Sequence, residues 1–243
     1  MRFASKRGPE SLLVEVAGRE ILVPVKRNPR ARRLILRIDA ASGLPVVTLP
    51  ARASLAQAES FLRKHVGWLQ GRLGRIPGEV PFADGSVFPL RGTPCRIVHR
   101  GGRGLVRLET GEEPLLSVPG AAEHLSRRVA DWLKREARRD LQHSVARHAE
   151  ALGKRPARLR IGDARSRWGS CTAEGALTFS WRLVLAPPHV LDYLAAHEVA
   201  HLAEMNHGPK FWALVRRLDP RHETARAWLK RHGPGLHAIG RGT

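Results

Sequence analysis

The chain has 243 residues, 42% of them hydrophobic, with 42 Lys and Arg against 22 Asp and Glu for a formal net charge of +20. That composition agrees with a folded globule of one large or two modest domains, and two cysteines, Cys95 and Cys171, exclude a disulfide framework and fit a reducing compartment. The start, MRFASKRGPE, lacks the apolar run of a secretory signal and no stretch of about twenty apolar residues could span a bilayer, so a soluble cytoplasmic protein with no membrane partner is expected.

In chain order, Ser11 to Lys26 reads as two short strands around Gly18, and Leu34 to Ile38 and Val46 to Leu49 as further strands. Ser54 and Gln57 form a capping box for a helix reaching about Leu73. Short strands are predicted at Cys95 to Val98, Gly104 to Leu108 and Leu115 to Val118, separated by glycine turns at Gly101, Gly102 and Gly111. From Ala121 to about Leu152 apolar residues recur every four positions, at Leu125, Val129, Leu133, Ala137, Leu141 and Val145, which marks a long amphipathic helix ended by Gly153 and expected to pack on the helix around residue 197. A strand near Leu159 to Ile161 follows. Leu177, Phe179, Trp181, Leu183 and Leu185 then alternate with Thr178, Ser180, Arg182 and Val184, the pattern of a strand with one buried face, ended by Pro187 and Pro188. Its edge could pair with an extended substrate. Helices near Lys210 to Leu218 and His222 to Arg231 precede a glycine-rich tail from Gly233 that is expected to fray, although His237 could still contact the body. The chain thus divides into a β-rich amino-terminal region, residues 1–118, and a mainly helical region, residues 119–243, giving an α+β fold.

The segment HEVAHLAEMNH, His197 to His207, carries the chemistry. On a helix His197 and His201, at i and i+4, lie within roughly 40° of each other and can share one metal ion, with Glu198 beside them to take a proton from a metal-activated water. Projection puts Leu191, Leu194, Leu202 and Met205 on the side of Glu198 and His201, so that side should be core. A carboxylate and an imidazole buried there cost several kcal/mol unless each finds a partner, and a metal ion serves both. A catalytic zinc needs a third protein donor and an open position. His207 is the leading candidate, provided the chain leaves the helix between Met205 and Gly208, where Asn206, Gly208 and Pro209 favour a stop; Glu223 is the rival. Tyr193 and Glu204 could hydrogen-bond a ligand nitrogen but read first as packing or surface residues, and Asp192 as a solvated or early-turn charge. In the cluster Arg167 to Cys171, Arg167 could hold an oxyanion or anionic group with Ser170 as a further donor, Trp168 could be core, and Cys171 is a weak candidate as a soft ligand.

RWGSC, SWRLVLAPPHVLDYLAAHEVAHL and NHGPKFWALV resemble the YgjP-like metallopeptidase family, a bacterial group related to SprT-like and other small zincins. The resemblance covers roughly residues 160–232 and continues more weakly through TLP at Thr48 to Pro50, Trp68 and WLKREAR at Trp132 to Arg138. It implies a zincin-like domain with a small sheet, one zinc ion held by His197, His201 and His207, Glu198 as catalytic acid/base, and a peptide or protein substrate. The metzincin signature shares the ligand spacing, but Glu204 stands at its glycine position and no methionine follows the third histidine, so that class is not favoured.

Charge is the second signal. Arg19 to Arg37 holds seven basic residues against one acid and Lys154 to Arg167 six against one, a field that attracts an anionic partner such as nucleic acid or a nucleotide. Two alternatives to a zinc peptidase follow: a metal-dependent hydrolase of a phosphate-containing substrate such as a nucleoside triphosphate, and a basic nucleic-acid-binding protein with a structural zinc.

Overall fold

In the computed structural model the described residues are 10–16, 19–39, 44–73, 80–164 and 167–240, so the turn at Gly18 lies outside them. The chain forms two compact units, residues 1–77 and 78–243. The change from strand-rich to helix-rich sequence at 118/119 falls inside the second.

The first unit is a four-stranded sheet with two helices. Strands β1 (Ser11–Val16), β2 (Arg19–Arg27), β3 (Ile35–Ile38) and β4 (Pro45–Leu49) lie in the order β1–β2–β4–β3, with β2 and β4 parallel and the other pairs antiparallel. Alternation buries Val14 and Val16 of β1 and Val23 and Val25 of β2 against Ala58, Leu62 and Leu69 of the helices. The capping box is present, with Ser54 Oγ accepting from Gln57 N at 3.2 Å and Gln57 Oε1 from Ser54 N at 2.8 Å. The predicted single helix is two, α1 (Leu55–Lys64) and α2 (Val66–Leu73). His65 breaks it: its ring Nδ1 donates to the Phe61 carbonyl at 2.8 Å, the acceptor its own backbone N–H would take in a continuous helix.

The second unit builds two sheets around one helix pair. Strands β5 (Val87–Leu90), β6 (Thr93–Gly101), β7 (Arg107–Glu109) and β8 (Leu115–Pro119) form the order β5–β6–β8–β7, in which β5 is an addition to the strands read from sequence. The tip of the β5–β6 hairpin is pinned to its surroundings, since Arg91 pairs with Glu136 at 2.8 Å and Asp140 at 2.7 Å. Helix α3 (Leu125–Leu152) buries the predicted every-fourth stripe and ends where Gly153, at φ 66°, turns left-handed. It packs on α4 (Pro188–Ala200), which is followed by α5 (Pro209–Leu218) and α6 (His222–Leu236). Strands β9 (Arg158–Gly162), β10 (Gly169–Cys171) and β11 (Ala176–Ser180) form a second sheet in the order β10–β11–β9, leaving β10 at an edge. Among the described residues the fold is α+β, with strands mainly in the amino-terminal half and six α-helices. No helix among them is long and apolar enough to cross a membrane.

Two expectations fail here for a common reason. The strand read through Leu185 stops at Ser180, whose hydroxyl accepts the Arg182 N–H and starts a 3₁₀ turn, Trp181–Leu185, with all five residues buried. Arg182 tolerates burial because its guanidinium meets Asp163 at 2.9 Å and donates to the carbonyls of Leu236 and Ile239. Those carbonyls belong to the tail expected to fray. Instead Leu236 to Gly240 are buried, and Val80 bridges to Ile239.

Candidate metal centre

Helix α4 presents His197 and Glu198 in its last turn, and His201 is its cap residue. The helix stops earlier than the sequence suggests. The N–H groups of Leu202 and Ala203 bond back to the Val199 and Ala200 carbonyls, three residues away, and this tightened turn ends the helix before Met205. Met205 is therefore exposed, contrary to the helical projection, whereas Leu191 and Leu194 are buried as projected. The early exit brings His207 back towards the helix. Gly208 and Pro209 then start α5, whose third residue, Phe211, is fully buried.

His197, His201 and His207 converge, each offering a ring nitrogen within 4.8 Å of the others. Nε2 of His207 lies 3.1 Å from Nε2 of His197. Two nitrogens held about 2.0–2.1 Å from one tetrahedral ion are roughly 3.4 Å apart, so the separation matches shared ligation. His201 Nδ1 donates to the Glu204 carbonyl at 3.1 Å, which fixes the tautomer and leaves Nε2 with its lone pair. Glu204, read first as a surface or packing residue, thus supports a ligand ring through its backbone carbonyl. Phe211 stands against all three imidazoles, its ring centroid 4.9 Å from His197, 4.4 Å from His201 and 4.7 Å from His207. Tyr193 is buried and meets His197 edge-on at 5.8 Å, a packing role.

The electrostatics suit a cation. Burial, helped by the positive charge of His201, His207 and Arg226, pushes His197 down to about 3, so the ring is neutral at pH 7. Burial also lowers His201, against the pull of the Glu204 carbonyl. The buried Nδ1 of His197 has no hydrogen-bond partner among the described residues, a cost of about 1–3 kcal/mol that the fold bears without gain unless Nε2 binds something. Three converging imidazole nitrogens, with His197 held neutral, fit a borderline divalent ion such as zinc.

Glu198 is only 4% exposed, and burial raises its carboxyl to about 7 while Arg167 pulls the other way. Its side chain fills the space over Gly169 of β10. A Cβ at that position would stand 2.5 Å from Oε1 and 2.7 Å from Cγ, so the strand needs a glycine there. Sequence reading included Gly169 in a cluster without a role for it. Neither rival donor joins the group of three: Glu223 is exposed at the start of α6, and the Cys171 thiol, raised by burial and by the Glu198 charge, donates to the Thr172 carbonyl. Trp168, half-buried, stacks on His237 of the tail at 4.6 Å. Asp192, read as a solvated or early-turn charge, accepts from His148 Nε2 at 3.0 Å and pairs with Arg147, both on α3. The aromatic pair Phe211 and Trp212 and the arginine over Trp212, Arg226, went unread. The one sequence signal was the position of Phe211 and Trp212 in the helix that begins just after His207.

A buried carboxylate beside three converging imidazoles, on a mixed α+β scaffold, is the arrangement of a metal-dependent hydrolase. The family model described as YgjP-like, metallopeptidase domain matches residues 32–232, and the chain belongs to this family of metallopeptidases. Among solved structures it is similar to the crystal structure of the metallopeptidase zymogen of Pyrococcus abyssi abylysin, at 20% identity and a TM-score of 0.34, over 37% of this chain and 93% of that one. No curated protein matches it.

Proposed function

We propose that the chain is a zincin-type peptidase in which His197, His201 and His207 hold one zinc ion and Glu198 is the general base and acid. The observation that carries this reading is the meeting of three ring nitrogens within 4.8 Å beside a carboxyl raised to about 7. Zinc, when bound, acts as a Lewis acid that brings the pKa of water towards about 7 and polarises a carbonyl. Glu198 takes the proton of the attacking water on a carboxylate oxygen and returns it to the leaving nitrogen; a group poised near the working pH does both. Gly169 gives that carboxylate its room, and the open edge of β10 receives an extended peptide backbone beside it. All of this chemistry lies in residues 119–243. The two thiols, Cys95 and Cys171, are both unpaired and fit a cytoplasmic setting.

The test is Glu198→Gln in zinc-loaded protein acting on unfolded protein or a peptide library. With zinc content unchanged, kcat should fall by about 10²–10⁴. Full activity would remove Glu198 from the reaction.

A further inference from the structure

Beyond the imidazoles, the fixed charges bearing on His197 and Glu198 are both arginines, Arg226 and Arg167. Arg226 is exposed on α6, and its guanidinium lies over the Trp212 ring at 5.2 Å. The same indole is 5.9 Å from His197 and 6.0 Å from His207, so one side chain connects the guanidinium to two of the three imidazoles. The helix offers Arg226 an acid one turn earlier, Glu223, and Asp219 lies at the end of the preceding helix. Yet Arg226 forms no ion pair among the described residues and rests on the indole instead. An exposed guanidinium standing over an aromatic ring with no carboxylate partner among the described residues keeps its forked donors available, and that fork matches a carboxylate in two parallel hydrogen bonds. A divalent ion held by the three imidazoles would add its charge to those of the two arginines. A neutral peptide leaves that field uncompensated, whereas an acidic side chain cancels part of it.

We propose that Arg226, laid on Trp212, forms a subsite for an acidic side chain of the peptide substrate, so that the enzyme favours glutamate or aspartate close to the scissile bond. This rests on the peptidase reading above and deepens it. Consecutive Cα atoms are 3.8 Å apart, so a side chain within three residues of the cleaved bond has the reach.

The experiment scans one cleavable peptide, replacing each of three residues on either side of the bond in turn by Glu or Gln. At one position kcat/KM should favour Glu by about tenfold, the effect of a charge-assisted hydrogen bond. In Arg226→Met that ratio should fall to near one, and Arg226→Lys should keep part of it. A wild-type ratio of one at every position, or a ratio untouched in Arg226→Met, overturns the proposal and leaves the peptidase reading standing. Calorimetric binding of the Glu and Gln peptides to zinc-loaded Glu198→Gln protein reads the same preference without cleavage. If wild type cuts no peptide, the peptidase reading fails alone, and the calorimetry decides the subsite: tenfold tighter Glu binding, lost when Arg226→Met is added, supports it, and equal binding overturns it. A short single-stranded oligonucleotide that displaces the Glu peptide and binds Arg226 more tightly than it does would overturn the peptide assignment.

Discussion

Helix α4 carries two polar clusters one and a half turns apart, and they are built on opposite principles. Around Asp192 every charge is matched by protein: His148 and Arg147 approach its carboxylate and the Ser144 hydroxyl adds a hydrogen bond. Burial pushes Asp192 up, but His148 and Arg147 overcome this and hold it below the usual carboxylate range. Around His197 the groups face one another unmatched, with two Nε2 atoms 3.1 Å apart and a carboxyl raised by burial. A cluster that satisfies itself joins two helices; one that leaves lone pairs aimed at a common point calls for a ligand. The direction of the carboxylate shift separates the two cases.

The comparison breaks most sharply under substitution. His201→Ala should abolish tight zinc binding and activity together, as metal analysis and a peptide assay would show, while Asp192→Asn should keep full zinc stoichiometry; loss of zinc in the Asp192 variant would merge the two clusters into one. Gly169→Ala should lower kcat by about 100-fold with zinc retained, because the added methyl must displace the Glu198 carboxylate by roughly an ångström. Unchanged kcat would show that Glu198 has room the structure does not give it.

Acidity sharpens the contrast, since the two carboxylates respond with opposite sign in metal-free protein. Glu198 titrates near 7 when folded and near 4.5 when unfolded, so its contribution to stability is present below 4.5 and lost as pH rises through 7. Apo Glu198→Gln should therefore exceed apo wild type by about 3 kcal/mol at pH 8, with the gap closing towards pH 4.5, in urea unfolding. Asp192→Asn should instead lose about 1–3 kcal/mol at neutral pH, from the His148 partner left behind, and that penalty should fade as acid protonates the wild-type carboxylate. Parallel pH profiles for the two variants would refute the distinction.

What could be read from sequence was whatever local spacing decides. The valine alternation of β1 and β2, the stripe of α3 with its Gly153 stop, and the neighbouring faces of His197 and His201 all follow from periods of 2 and 3.6. What escaped depends on partners far along the chain. Alternation at Leu177 to Leu185 implied a solvent face because Arg182 looked like a surface residue; its acceptors are Leu236 and Ile239, more than fifty residues on. Asp192 looked solvated because Arg147 and His148 sit on another helix, and Gly169 gained meaning only once Glu198 was seen above it. His207 was anticipated through the need to break the helix, but the break came at Ala200, through tightened backbone bonds that no stop residue signals.

Phe211 has a further consequence for handling the enzyme. Because its ring packs against all three imidazoles from within the protein, and Glu204 fixes His201 separately, the donor geometry is a property of the packed chain. Stripping with a chelator and refilling should then be reversible without refolding, and cobalt(II) should enter the same cage as a coloured reporter of peptide arrival.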